Sequence, residues 1–268
     1  MKTTELIEIA SRVAVTAGAL AAKRRAEGVE IAASKSSPED IVTLADRETE
    51  TLIRSLLSEA RPDDGFYGEE SDADAGTSGL TWLVDPIDGT VNYLYGIPHY
   101  AVSIAVVEGN PDPTTWTGLA AAVVNPAIGE LFTATAGGGA FLGDRELHVA
   151  EAELSLALVA TGFGYSADRR REQAAVVAGL IGRVRDIRRM GTASLDLCSV
   201  ACGRVNAYYE RELKPWDHAA GALIAREAGA RVTGWGGAPA GGEFILAAPP
   251  RLAEKLEDTL SELHRQRV

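Results

Sequence analysis

Residues 82–90 read Trp82-Leu83-Val84-Asp85-Pro86-Ile87-Asp88-Gly89-Thr90. An apolar strand candidate, Thr81–Val84, runs into two carboxylates three residues apart. Pro86 stiffens the turn expected between the two acids, and Gly89-Thr90 can open a helix after them. A strand that ends this way lets Asp85, the carbonyl of Ile87 and Asp88 face one small volume. Hard divalent cations need several oxygen ligands, and magnesium is usually held by a few carboxylates completed by water and substrate phosphate. The backbone N–H groups of Gly89 and Thr90 would point at an anion in that volume. Taken alone, the string equally suits an Asp-rich turn that caps a helix.

Upstream, residues 4–27 predict an amphipathic helix, because Leu6, Ile9, Val13, Ala17 and Leu20 recur at three- and four-residue steps and Gly28 can end it. A Ser/Pro turn is expected at residues 34–38. Thr43-Leu44-Ala45-Asp46 has the form of a capping box opening a second helix through Leu57. Downstream, Tyr100–Val107, Gly118–Val124, Glu130–Thr135 and Ala140–Leu142 are strand candidates, and Gly137-Gly138-Gly139 reads as the connection between the last two. Beyond residue 146 strands are expected at Leu156–Thr161, Val184–Ile187, Ala207–Tyr209 and Phe244–Ala247. They alternate with helices at Arg169–Gly182, Thr192–Cys202, Trp216–Ala228 and Pro250–Arg265. Gly234–Gly242 reads as a hairpin turn. The expectation is one compact unit in two halves: an N-terminal α+β half over 1–145 carrying most of the candidate metal ligands, and a C-terminal α/β half over 146–268.

Composition narrows the functional classes. The chain has 268 residues, 46% hydrophobic and 24% charged, which is ordinary globular usage. A net charge of −12 argues against a nucleic-acid surface. It does not exclude a phosphate substrate, since a carboxylate cluster loaded with divalent cations is locally positive. Cys198 and Cys202 share one face of a predicted helix and read as small buried thiols, not as half a metal site. The four histidines, His99, His148, His218 and His264, have no zinc-like spacing. With no apparent signal segment or membrane-length apolar run, the expectation is a cytoplasmic protein without a membrane partner.

The acidic string has company. Gly68-Glu69-Glu70-Ser71 places two acids after Phe66-Tyr67, and Trp216-Asp217 opens an alanine-rich helix. Each alone suits a solvated loop or a helix-cap carboxylate. Together with Lys35-Ser36-Ser37-Pro38-Glu39-Asp40, Trp82–Asn92, Gly191-Thr192-Ala193, Tyr208-Tyr209-Glu210 and Trp216-Asp217-His218-Ala219-Ala220-Gly221, they follow one another along nearly the whole chain. In that order they resemble the inositol monophosphatase family, a branch of the lithium-sensitive, magnesium-dependent phosphatases.

The resemblance implies a layered α/β/α/β/α sandwich of the inositol monophosphatase and fructose-bisphosphatase type. It also implies two or three Mg2+ ions. Glu69, Asp85 and the backbone oxygen of Ile87 would hold the first, and Asp85 would be shared with a second completed by Asp88 and Asp217. Thr90 paired with Asp46 would help activate the attacking water, with Glu69 counted among the catalytic acids. Asp88, Gly89 and Thr90 would meet the phosphate. Gly191, Thr192 and Ala193, with Glu210, would lie against a hydroxylated ring, and Lys35 falls in the family's loop near the metals. A homodimer is implied as well. Asp46 also keeps its independent reading as the capping-box acid.

The expected activity is hydrolysis of myo-inositol monophosphate by water. Phosphate monoesters hydrolyse extremely slowly unaided, and two nearby metals can activate the water and stabilise the leaving oxygen. No cysteine, histidine or serine nucleophile motif is present to suggest a phosphoenzyme. Histidinol phosphate, a fructose phosphate or a nucleotide phosphate remain alternative substrates, and a non-catalytic regulatory protein is the alternative from another class. Asn92-Tyr93 and Tyr208-Tyr209-Glu210 lean toward the inositol branch. Arg211-Glu212-Leu213-Lys214-Pro215 reads either as a solvated loop or as a rim at which Arg211 or Lys214 selects a second anionic group.

Overall fold

The computed structural model describes residues 3–34 and 41–265. Lys35 and most of the expected Ser/Pro turn lie outside the described residues. The elements in chain order are α1 (Thr3–Glu27), β1 (Ile31–Ser34), β2 (Ile41–Thr43), α2 (Leu44–Ala60), β3 (Gly65–Gly68), β4 (Leu80–Asp88), α3 (Thr90–Tyr95), β5 (Ala101–Glu108), β6 (Thr117–Asn125), β7 (Glu130–Thr135), β8 (Gly139–Leu142) and β9 (Arg145–Glu146). They continue as β10 (Leu158–Thr161), α4 (Ala167–Leu180), β11 (Asp186–Arg188), α5 (Ala193–Ala201), β12 (Ala207–Glu210), α6 (Pro215–Glu227), β13 (Arg231–Thr233), β14 (Ile245–Ala248) and α7 (Pro250–Arg265).

Strands β3 to β9 form one seven-stranded sheet in sequence order, antiparallel except for the β3–β4 pair. Side chains of a strand alternate between faces, and here both faces are covered. Trp82, Val84, Val102, Ile104, Ala120 and Ala122 pack with Leu6, Ile9, Val13 and Ile53 of α1 and α2. Leu83, Ala101, Ala105, Ala121 and Val123 face the other way, onto Leu195 and Cys198 of α5 and Ala220 and Ile224 of α6. The second sheet has the order β11-β10-β12-β14-β13. One of its faces packs on the same two helices through Tyr208, Ile245 and Leu197, and the other on α4 and α7 through Val159, Leu246, Leu180 and Leu256. The result is the expected α/β/α/β/α sandwich.

The reading of residues 82–90 needs one correction. Asp85-Pro86-Ile87-Asp88 is not a turn after the strand; β4 runs on through Asp88. Asp85 pairs with Ser103 and Asp88 with Ala101, three steps along β4 against two along β5, so the strand bulges between the two acids. Proline has no N–H for the ladder and is tolerated at such a bulge. The Ile87 N–H donates to Asp85 Oδ1 at 3.1 Å within it.

Short strands escaped the sequence reading. Gly65–Gly68 has glycine at both ends and little intrinsic strand preference. It is a strand because α2 and β4 enclose it: a Cβ at residue 68 would stand 2.4 Å from the Glu50 carboxylate. Helices α5 and α6 approach equally closely, since a Cβ on Gly221 would lie 2.7 Å from Leu197 Cβ. That contact brings the N-termini of both helices beside the β4 bulge.

Candidate functional site

The ends of β3, β4, β12, α5 and α6 converge on one cavity of about 1180 Å³. Glu69, Asp85, Ile87, Asp88, Gly89, Thr90, Gly191, Ala193, Glu210 and Asp217 all line it. Residues from three distant parts of the sequence therefore share one space. Asp46 and Thr192 do not line it. Both are buried behind its wall, each 1% exposed.

Local geometry explains each placement. Gly89, the N-cap of α3, has φ 90°, and a Cβ there would strike Thr192 Cγ2 at 2.5 Å. Glycine is thus needed twice, for the left-handed backbone and for the approach of α5. Thr192 is the N-cap of α5 and accepts from the Leu195 N–H at 3.1 Å. Asp88 Oδ2 accepts from the Ser194 N–H at 2.8 Å, placing a carboxylate at the same helix end. Asp217, in the first turn of α6, accepts from the Lys214 N–H at 2.6 Å. The Tyr67 and Trp216 rings meet edge to face at 5.1 Å, joining the end of β3 to the start of α6.

Asp46 serves two partners. Its Oδ2 accepts from the N–H of Thr43 at 2.9 Å and from the Thr43 hydroxyl, completing the capping box. Its Oδ1 lies 3.1 Å from Thr90 Oγ1, which also lies 3.1 Å from the carbonyl of Ile87. Burial pushes the Asp46 carboxyl up to about 7, against the lowering effect of its bonds to Thr43.

The cavity carboxylates raise one another. Asp85, 2% exposed, is held well above the ordinary range by burial and by the charges of Glu69, Asp88, Asp217 and Asp46. Asp217 is raised well above it by burial, then by Glu69 and Asp88. Asp88 reaches about 6, burial outweighing the bonds from the α5 N-terminus. This crowding is the fit test for a cation. The donors are all hard oxygens, and the charges that raise Asp85 are all negative, a setting that a bound divalent cation relieves. Among the described residues no three His, Cys, Asp or Glu side chains close on a point as a complete metal cage. By donor type and charge the residues fit the ion.

Glu210 lines the same cavity; its carboxyl is pushed up to about 7 by burial, partly countered by the Tyr208 hydroxyl, which donates to its Oε2 at 2.6 Å, and by Arg189. A Cβ at residue 162 would lie 2.0 Å from that carboxylate, so Gly162 seats it. Neither Gly162 nor Tyr208 as a partner of Glu210 was legible from spacing. Glu50 was missed too. It accepts from the N–H of Glu70 at 2.8 Å and from the Ser71 hydroxyl, and so holds the loop that carries Glu69. The signal was present: Asp46 and Glu50 are acids on the buried stripe of α2, four residues apart.

The sequence profile of the inositol monophosphatase family matches residues 2–266. The "Inositol-1-monophosphatase SuhB" of Mycobacterium tuberculosis H37Rv is 44% identical over 274 residues, covering 94% of this chain and 91% of that protein. The "Nus factor SuhB" of Pasteurella multocida is 38% identical, covering 96% and 97%. The crystal structure of the extragenic suppressor protein suhB from Bartonella henselae superposes with a TM-score of 0.86 at 36% identity, covering 96% of this chain and 98% of that one. This chain belongs to the inositol monophosphatase family.

Proposed function

We propose that this chain is a magnesium-dependent phosphomonoesterase that hydrolyses myo-inositol monophosphate to inositol and phosphate. One observation carries the reading. Glu69, Asp85, Asp88 and Asp217 line a single cavity whose floor holds the Thr90 hydroxyl against Asp46 and the Ile87 carbonyl. Bound by Glu69, Asp85, the Ile87 carbonyl, Asp88 and Asp217, magnesium would supply Lewis-acid stabilisation of the phosphoryl and leaving oxygens and a lowered pKa for the attacking water. Thr90 spends its proton on Asp46 or Ile87 and keeps lone pairs with which to orient that water. Asp46, near 7, is poised to take a proton relayed through Thr90. Glu210 faces the ring, where its carboxylate accepts from adjacent hydroxyls. Among the described residues, no cysteine or histidine lines the cavity, which favours direct attack by water.

The test is phosphate release from inositol, histidinol, fructose and nucleotide phosphates, with magnesium and with chelator. Turnover is expected with magnesium, highest on inositol monophosphate and inhibited by lithium. Preference for another phosphate would reassign the substrate and leave the chemistry standing. The relatives named Nus factor support a second reading, a regulatory binding protein. A folded chain that binds magnesium and releases phosphate from none of these compounds would favour it. We also propose a homodimer, to be checked by light scattering. No helix among the described residues is long and apolar enough to cross a membrane.

A further inference from the structure

Glu212, with φ 71°, is the one non-glycine residue at positive φ among the described residues. Glycine adopts that left-handed backbone freely, whereas a side chain there is strained and persists only where its surroundings over-determine it. The position is close to the site. Glu212 lies in the turn between β12 and α6, after Glu210 and before Asp217, and it lines the cavity.

The backbone of this turn is held from one side. The Glu212 N–H donates to the Gly242 carbonyl at 2.6 Å, and the Arg211 Nε–H donates to the Glu243 carbonyl at 3.1 Å. The Glu212 side chain reaches the other way. One carboxylate oxygen, Oε1, pairs at 2.9 Å with Nε of Arg169, in the first turn of α4. The other, Oε2, stands where a Cβ on Gly164 would collide with it. Gly164 in turn gives its N–H to Gln173 Oε1 at 2.9 Å, so α4 holds this loop from behind. Gly162 seats Glu210 in the same manner. The loop from Gly162 to Ser166, which links β10 to α4, thus sets a glycine against each of two acids, and every one of its residues lines the cavity.

Stability does not account for this arrangement. The Arg169 and Glu212 side chains are 48% and 40% exposed, and an ion pair so exposed contributes little. A glycine at 212 would keep the backbone bond to Gly242 and lose the strain. What a glycine cannot do is reach Arg169 and press on Gly164.

We infer that Glu212 is a positioning residue for ring recognition: from its strained backbone it ties the β12–α6 turn to Arg169 and holds the Gly162–Ser166 loop against Glu210. The inference rests on the phosphomonoesterase reading above and deepens it. Glu210 accepts from the ring hydroxyls of the monophosphate, and the loop that seats it fixes where its oxygens stand. A misplacement of about 1 Å can cost as much as ~100-fold in rate. Asp217 has support of its own, from the Lys214 N–H and from the Tyr67–Trp216 contact, so the phosphate end does not depend on the tie.

The test is steady-state kinetics of Glu212→Gly and Arg169→Gln on inositol monophosphate and on an aryl phosphate, with melting and amide hydrogen exchange of the same proteins. Glu212→Gly should melt at or above the wild-type temperature, because it removes strain. It should nevertheless raise KM for inositol monophosphate about 5-fold or more. Its kcat, and its kcat/KM on the aryl phosphate, should stay within about twofold of wild type. Arg169→Gln, an exposed change that leaves the strained backbone alone, should give the same rise in KM. The double variant should be no worse than either single one, and Glu212→Gly added to Glu210→Gln should raise KM little further. An unchanged KM, equal losses on both substrates, or a full additional loss on top of Glu210→Gln each overturn the assignment. If the wild-type chain turns over no inositol monophosphate, the phosphomonoesterase reading fails by itself. Hydrogen exchange then decides the tie: exchange across residues 162–166 about 10-fold faster in Glu212→Gly supports it, and unchanged exchange overturns it.

Discussion

Thr90 Oγ1 lies 3.1 Å from Asp46 Oδ1, across 44 residues of sequence and between two different helices. Asp46 is therefore both the N-terminal lock of α2 and the partner of a hydroxyl that faces the cavity. Thr90→Ala should lower kcat about 100-fold or more, the scale of a lost proton-transfer group, with KM for inositol monophosphate within about twofold. Thr90→Ser should recover most of the rate. A rise in KM with kcat intact would assign Thr90 to ground-state phosphate binding.

Asp85 stands under the charges of four other acids. Asp85→Asn should abolish measurable turnover and raise the melting temperature of the chelator-treated protein at neutral pH, since it removes a carboxyl that the metal-free fold buries among other acids only by holding it protonated. A gain of about 1 kcal/mol corresponds to roughly 2–4 °C in a chain of this size. Near-normal turnover in magnesium would sink the proposed role of Asp85.

The same crowding sets a pH dependence. Asp46 and Glu210 are pushed up to about 7, Asp88 to about 6, and Asp85 and Asp217 well above the ordinary range, in each case chiefly by burial. Unfolded carboxyls titrate near pH 4. Between about pH 4 and about pH 7 the folded chain thus holds protons that the unfolded chain has released, and stability falls as pH rises. Melting in chelator should decline across that window, and excess magnesium should flatten the decline. A chelated protein that becomes more stable from about pH 5 to about pH 7 would contradict the assignment.

Glu50 supports Glu69 without lining the cavity. Glu50→Ala frees the Glu70 N–H and the Ser71 hydroxyl and loosens the loop between them. The expected effect is an activation constant for magnesium about 10-fold higher, as for other residues that orient metal ligands. KM for substrate at saturating magnesium should move little. An unchanged magnesium dependence in a folded variant would make Glu50 a purely structural acid.

Glu210→Gln separates ring recognition from metal binding. It should raise KM for inositol monophosphate about 10-fold or more, because hydroxyls left unpaired in a buried site are costly. An aryl phosphate, which offers no ring hydroxyls, should be barely affected. Equal losses on both substrates would place Glu210 in support of the carboxylate cluster.

Most helices and strands were legible because they rest on local chemistry, whereas the layered arrangement was implied by the resemblance that the order of motifs carries. Runs of β-branched and small residues buried on both faces mark β5 and β6, three- and four-residue spacing marks α1, and Thr43 with Asp46 announces α2 as a capped helix whatever it packs against. The acids at 69, 85, 88 and 217 stood out as types in a recognisable order, although separated by up to a hundred residues and more. What the chain alone could not specify are the properties that arise when distant backbones touch. The bulge at Pro86 depends on register with β5, the strand at Gly65–Gly68 on enclosure by its neighbours, and the seat of Glu210 on Gly162. The charge state of the cluster is likewise a tertiary property. Asp85 is an ordinary carboxylic acid in sequence, and only burial beside other acids changes how tightly it holds its proton.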